Sequence, residues 1–379
     1  MSANYRKLGE IVELIDERNK DGKVQNLIGV SIDKCFIKSV ANTIGTDLTK
    51  YQVIRKNDFA CSLMQVSRDG KIPIACLKDY DEAIMSPAYY IFRIRNTNEV
   101  LPDYLAMWFM RTEFDREASY IAVGGVRGSM PWEDFCDMKL PVPDLKEQEK
   151  IVNTYNAITK RIQLKQKINE NLEKTAQTIY RKMFVEDADK NWKIGKLSDY
   201  CKFQEGYVNP PQEYPEYFDG MIKWLRAVDI NESYVLNTSR TLTDLGFKSA
   251  GTSALLFKPN TIAITKSGTI GRLAIISDFM CGNRAIINIE PNEKLYLPFI
   301  HQYLKSRQKE FLDMSVGSVQ KNLYVSILAE LPIIKPELSS VEEYYKTVEC
   351  LYEQKLYNCK EISKLQELKQ LVISRISGM

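Results

Sequence analysis

The sequence predicts a mixed α/β fold in which two similar globular domains are separated by two long helices. The helices pack as an antiparallel coiled coil, so the arrangement is pseudo-two-fold symmetric. Three observations predict it. A domain-sized segment recurs with its features in the same order, and each copy runs into a helical stretch of about 40 residues with an apolar seam. The remainder of each copy consists of β-branched runs broken by Gly, Asn and Pro, the pattern of strands and turns. The boundaries read as 1–143 for the first domain, 144–189 for the first helix, 190–338 for the second domain and 339–379 for the second helix.

The repeat is carried by short echoes in common order. Lys7-Leu8-Gly9-Glu10 returns as Lys196-Leu197-Ser198-Asp199, and Arg55-Lys56-Asn57-Asp58 as Phe257-Lys258-Pro259-Asn260. Ser67-Arg68-Asp69-Gly70 corresponds to Lys266-Ser267-Gly268-Thr269, and Glu113-Phe114 to Glu310-Phe311. Val126-Arg127-Gly128-Ser129 before Leu140-Pro141-Val142-Pro143 corresponds to Val316-Gly317-Ser318-Val319 before Leu331-Pro332-Ile333-Ile334. Within the domains, Thr261–Thr265 and Leu273–Ile276 read as strands, and Asp103–Met110 and Leu297–Leu304 as helices.

The long helices carry their own signals. Asp144 with Glu147, and Ser340 with Glu343, stand at capping-box spacing. One seam runs Ile151, Tyr155, Ile158, Ile162, Leu172, Ala176, Ile179, Met183; the other runs Val341, Tyr344, Val348, Leu351, Ile362, Leu365, Leu368, Val372. Each is interrupted midway by polar residues, Lys165 and Asn169 in the first and Lys355 and Asn358 in the second. Antiparallel pairing sets Lys165 against Asn358, Asn169 against Lys355 and Met183 against Val341. Parallel pairing would bury polar groups against Ile162 and Ile362, costing on the order of 1–3 kcal/mol each. Antiparallel pairing is therefore expected, with a domain at each end of a rod of roughly 60 Å.

Composition bounds the function. Among 379 residues there are eight cysteines without a CxxC pair and a single histidine, His301, expected as a surface or partly buried helix residue. These exclude a histidine triad and a His-rich metal cluster, and the scattered thiols point to a reduced, cytoplasmic protein. No apolar run reaches the ~20 residues of a membrane span, and Met1-Ser2-Ala3-Asn4 does not open a signal peptide. The net charge of +3 is no polybasic tail, so nucleic-acid binding would require local clusters.

Several stretches invite catalytic readings that fail. Asn209-Pro210-Pro211-Gln212 resembles the amine-binding loop of amino-methyltransferases, but Gln212 stands where an aromatic ring should stack; it reads as a proline-stiffened loop. Asp103 with Asp144-Leu145-Lys146 is a loose nuclease pattern whose Asp144 already serves as a helix cap. Gly124–Ser129 lacks the Lys-Ser/Thr of a phosphate loop. What remains are loops with DNA-reading chemistry in equivalent places of both copies. The first has Ser62, Gln65, Arg68, Lys71 and Arg127; the second has Lys266, Ser267, Thr269, Arg272, Arg284, Gln320, Lys321 and Asn322. Arg pairs with guanine and Asn or Gln with adenine, whereas Lys and Ser more often hold phosphate. A duplicated reader on a rod suits two separated, unlike half-sites.

This arrangement resembles the specificity subunits of type I restriction-modification enzymes across essentially the whole chain. The resemblance rests on Leu140–Gln148, Leu331–Pro336, Trp224–Ile230 and Thr265–Gly271; Glu342-Glu343 matches Glu147-Gln148 less closely. It implies two target-recognition domains reading a bipartite asymmetric sequence in double-stranded DNA, with the helices as spacer and docking surface. The implied partners are DNA adenine methyltransferase subunits and translocating endonuclease subunits. S-adenosylmethionine, ATP and Mg would be bound by those partners, leaving this chain non-catalytic and without cofactor. The first domain starts almost at Met1, so a minimal N-terminal extension is expected. The competing readings are a coiled-coil adaptor without DNA binding and a free-standing DNA-modifying enzyme.

Overall fold

One sheet order is built twice. In the first half, strands Val12–Ile15, Tyr90–Ile94, Phe59–Cys61 and Ile74–Cys76 lie side by side in that sequence. In the second half Cys201–Glu205, Ile286–Pro291, Ile262–Thr265 and Leu273–Ile276 do the same, and Tyr234–Val235 adds a parallel edge strand. The computed structural model describes residues 4–39, 46–64, 66–124, 128–317 and 321–376. It divides into two compact units, Met1–Ile162 with Leu365–Met379, and Gln163–Lys364.

The apolar runs follow from burial on both faces. Successive side chains of a strand point to opposite sides. Ile262 and Ile264 accordingly enter a core with Leu297, Phe299 and Ile300, while Ala263 enters another with Leu225, Phe257 and Ile276. With neither side facing water, Ile262–Thr265 and Leu273–Ile276 need no polar alternation, and all eight residues are buried.

Backbone hydrogen bonds fix how the two copies correspond. Leu8 N donates to Met138 O at 2.8 Å, and Leu197 N to Leu331 O at 2.9 Å. Lys7 pairs with Lys139 as Lys196 pairs with Pro332. Leu140 therefore corresponds to Ile333, both buried, and the Leu-Pro echo of the sequence lies two residues out of structural register. A one-residue slip affects the other echo: Asn57 N meets Leu77 O as Asn260 N meets Ile276 O. Both asparagines adopt the left-handed region, φ 71° and 61°, which Asn tolerates better than most residues.

The first long helix spans Leu145–Arg181 and continues as a π-helical turn over Lys182–Glu186; the second spans Leu338–Arg375. Asp144 caps the first, accepting from Glu147 N at 2.9 Å. Fully buried Gln148 anchors it to its domain, accepting from Leu101 N and donating to Glu99 O and Pro143 O. Ser340 is not the cap of the second helix. That helix begins directly after Pro336-Glu337, and the Glu337 carbonyl accepts from Ser340 N and Val341 N.

In each unit the helix segments run antiparallel. In the first, Ile151 and Val152 share a core with Ile373 and Ile376, and Lys369 lies over the Tyr155 ring at 4.6 Å. In the second, Ala176, Tyr180 and Met183 pack with Val341, Tyr344 and Val348. Lys165 Nζ donates to Asn358 Oδ1 at 3.0 Å, as the seam predicts. Asn169 meets Asn358 rather than Lys355, at 2.8 Å, because the buried Lys355 ammonium takes the Glu173 carboxylate one helical turn further on. Leu368, expected in the seam, is 46% exposed; Ile373 and Ile376 carry that end instead.

Among the described residues no helix is long and apolar enough to cross a membrane. The eight cysteines are free thiols, and burial pushes those of Cys201 and Cys281 up to about 12.

Candidate nucleic-acid interface

In the second unit three loops meet at one residue. Lys266 follows strand Ile262–Thr265; its N–H donates to Ala285 O at 2.8 Å, and its carbonyl accepts from Leu323 N at 2.9 Å. Segments 266–272, 283–285 and 321–323 thus share one backbone junction, which gathers Ser267, Thr269, Arg272, Arg284, Lys321 and Asn322. The turn itself is tight. Thr265 Oγ1 donates to Thr269 O and accepts from Arg272 N, and Gly271 takes φ 86° against Phe311, where a side chain would be strained. Arg272, Arg284 and Lys321 are exposed and have no carboxylate partner among the described residues.

Lys266 departs from the expected role. Its ammonium is 3.1 Å from Glu205, both side chains are four-fifths buried or nearly so, and Tyr207 OH donates to the same carboxylate at 3.0 Å. Glu205 borders a cleft of about 590 Å³ lined also by Gln204, Tyr207, Leu255 and Tyr324. Lys266 therefore holds the junction together rather than offering a free cation. Asn322 exchanges both backbone bonds with Val316 at 2.9 Å, which sets the direction of the third loop.

The first unit repeats two arms of the junction. Ser62 N donates to Pro73 O as Thr265 N does to Arg272 O, and Leu63 O accepts from Met130 N as Lys266 O does from Leu323 N. The loop 62–73 thus corresponds to 265–272, and the segment before Met130 to that before Leu323. Gly128, at φ 71°, lies so close to Ser67 that an added side-chain carbon would sit 2.1 Å from its hydroxyl. Lys71 is exposed. Arg68 is exposed too, but it forms two bonds to its neighbour Asp69, at 2.6 and 3.0 Å. Gln65, Arg127 and Gln320 lie outside the described residues.

Sequence reasoning missed several supporting residues. Buried Asp115 accepts from Lys34 Nζ at 2.8 Å and from Ile72 N at 3.3 Å, fixing the end of the 62–73 loop from below; burial lowers the Lys34 pKa. In the second unit Arg226 lies over the Trp224 ring at 5.2 Å and Arg240 over the Phe218 ring at 3.9 Å. Asp229, whose side chain is 4% exposed, accepts from Arg226 N, Ser239 N and Ser239 Oγ. Trp224-Leu225-Arg226 was visible as a motif; Arg240 carried no local signal, since only the fold brings it to Phe218.

A second cluster ties this domain to the helices within the unit. His301, expected at least partly exposed, is fully buried, with Nδ1 2.9 Å from Tyr352 OH. Burial pushes its imidazole down to about 4. Glu173 accepts from Gln302 Nε2 at 2.9 Å and pairs with Lys355, and Lys305 approaches it at 3.8 Å. Burial alone would raise the Glu173 carboxyl, but the field of His301, Lys355 and Lys305 outweighs it and brings the group down to about 2.

The duplicated sheet, the helix segments and the paired junctions define a two-copy recognition scaffold. A family model described as the type I restriction modification DNA specificity domain matches residues 3–174 and again 189–370, so the chain belongs to that family. It is 22% identical over 319 residues to the type I restriction enzyme MjaIX specificity subunit of Methanocaldococcus jannaschii, covering 78% of this chain and 69% of that one. It is 20% identical over 376 residues to the HindI specificity subunit of Haemophilus influenzae, covering 79% and 81%. The crystal structure of a type I restriction-modification S subunit from M. genitalium superposes with a TM-score of 0.58 at 14% identity, covering 99% of this chain and 96% of that one.

Proposed function

We propose that this chain is the sequence-specific DNA-binding subunit of a type I restriction-modification complex. Residues 1–143 and 190–338 are its two target-recognition domains, and each reads one half of a bipartite, asymmetric target. One observation carries the reading. The same pairing of two loops is built around Leu63 in one unit and Lys266 in the other, through Met130 N to Leu63 O and Leu323 N to Lys266 O, yet the side chains it presents differ. Equivalent platforms with unlike contacts are what two unlike half-sites require.

Arg272, Arg284 and Lys321 contact DNA in the second unit, with Ser267, Thr269, Gln320 and Asn322 beside them; Ser62, Gln65, Lys71 and Arg127 do so in the first. Arg68 joins them by giving up its Asp69 pairing, and Lys266 supports the junction from behind. The long helices set the half-site separation and dock adenine methyltransferase subunits and translocating endonuclease subunits. Those partners bind S-adenosylmethionine, ATP and Mg, and they perform the chemistry in the cytoplasm; this chain contributes none of it.

The test is the affinity of the full chain, with its methyltransferase partners, for duplex DNA across a salt series. Affinity should fall linearly on a logarithmic plot, with a slope near −0.9 for each phosphate neutralised. Salt-independent or absent binding would favour the coiled-coil adaptor, and methyl transfer by the chain alone would establish a free-standing enzyme.

A further inference from the structure

We propose that Arg240, oriented by Gln212 and stacked on Phe218, is a base-reading residue of the second domain and recognises guanine; this rests on the DNA-reading function proposed above. Two stretches lie outside the loop junction, Asn209–Gln212 and Trp224–Ile230. The fold brings them together. Arg226 lies over Trp224 at 5.2 Å, Trp224 lies 6.0 Å from Phe218, and Arg240 lies over Phe218 at 3.9 Å, so two arginines bracket two buried rings. Arg240 Nη1 donates to Gln212 Oε1 at 2.5 Å, while Arg226 Nη2 donates to Ser239 Oγ at 2.6 Å.

The two arginines differ in charge balance. Arg226 has Asp229 at 3.9 Å and approaches neutrality with it, which suits a structural role. Arg240 has no carboxylate partner among the described residues; its partners are an amide and an aromatic face, so its full charge and its remaining N–H groups stay available. A guanidinium held between a ring face and a side-chain acceptor has little rotamer freedom left to lose on binding. Its planar fork fits the O6 and N7 acceptors of guanine, the commonest specific contact in the major groove.

Position supports the same reading. Asn283 N donates to Leu225 O at 3.0 Å, which sets Arg226 beside the Asn283-Arg284 turn, and the next residue, Ala285, bonds to Lys266. A continuous path of backbone bonds therefore joins the arginine and aromatic stack to the three-loop junction. The reading surface of the second domain runs along it.

The experiment selects a randomised duplex DNA library with the full chain in its methyltransferase complex, then repeats the selection with Arg240→Lys and with Gln212→Ala. The wild type should return a bipartite consensus. Arg240→Lys keeps the charge but loses the planar fork, so preference for guanine at one position of one half-site should fall by about ten- to a hundredfold. All other positions and the salt slope should hold. Gln212→Ala should relax the same position by a smaller factor. An unchanged consensus, or equal weakening at every position with an unchanged melting temperature, would overturn the assignment of Arg240. A wild-type chain that selects no consensus would instead withdraw the DNA-reading function itself.

Discussion

Replacing Glu173 with alanine lowers the stability of the chain by about 3–5 kcal/mol, the cost of leaving a buried charge uncompensated. Lys355 is 4% exposed and Glu173 is its carboxylate partner. The same carboxylate accepts from Gln302 and faces Lys305, but Gln302 keeps Tyr352 OH at 3.0 Å and Lys305 keeps Glu232 at 3.8 Å, so the group the truncation strands is the buried Lys355 ammonium. Glu173→Gln preserves the shape and isolates the charge; it should cost less than alanine, but well above the noise of a denaturant titration.

The acid limb of stability has two parts with the same sign. His301 is held near 4 against an ordinary value of 6.5, so the unfolded chain takes up its proton first; this contribution is full above pH 6.5 and is lost as pH falls toward 4. It amounts to about 3 kcal/mol. Glu173, near 2 against 4.5, contributes fully above pH 4.5 and loses its share between pH 4.5 and 2. Chemical denaturation at pH 7, 5 and 4 reads the first part. In His301→Gln the loss between pH 6.5 and 4.5 should largely disappear, and a slope equal to the wild type's would contradict the assignment.

Replacing Arg272, Arg284 and Lys321 together with glutamine should weaken DNA binding by about 100- to 1000-fold at moderate salt and flatten the salt slope by up to about 2.7. The three cations stand on three loops that share the Lys266 backbone junction, and none pairs with a carboxylate among the described residues. Removing them should not unfold the domain, because all three are exposed. Substituting Lys266 should behave differently, since its loss strands Glu205 and loosens the junction. Equal slopes for the triple variant and the wild type would place the phosphate contacts elsewhere.

Much of this architecture was legible because it is periodic or repeated. The two seams identified the helices and their direction, and Asp144 marked where the first begins. Polar residues in the seam were harder. Asn169 and Lys355 were visible as interruptions, but Glu173 lay off the apolar pattern, and only burial of the Lys355 ammonium reveals that it needs a carboxylate. The echoes located the equivalent loops while misplacing their register by one to four residues. Local similarity in Leu-Pro or Lys-Asn fragments does not encode which backbone groups meet, whereas the hydrogen bonds of Leu63 and Lys266 do. Arg240 was invisible for a related reason: its ring partner, Phe218, is 22 residues away along the chain and meets it only across paired strands.

The central claim is that two unlike readers act independently on two half-sites at a spacing set by the helices. It is tested most directly by exchanging residues 1–143 for the first domain of another family member. The methylated adenines made by the hybrid with its methyltransferase subunits are then mapped. The account predicts a new sequence in one half of the target, with the other half and the spacer length unchanged. Methylation altered in both halves, or in neither, would contradict it.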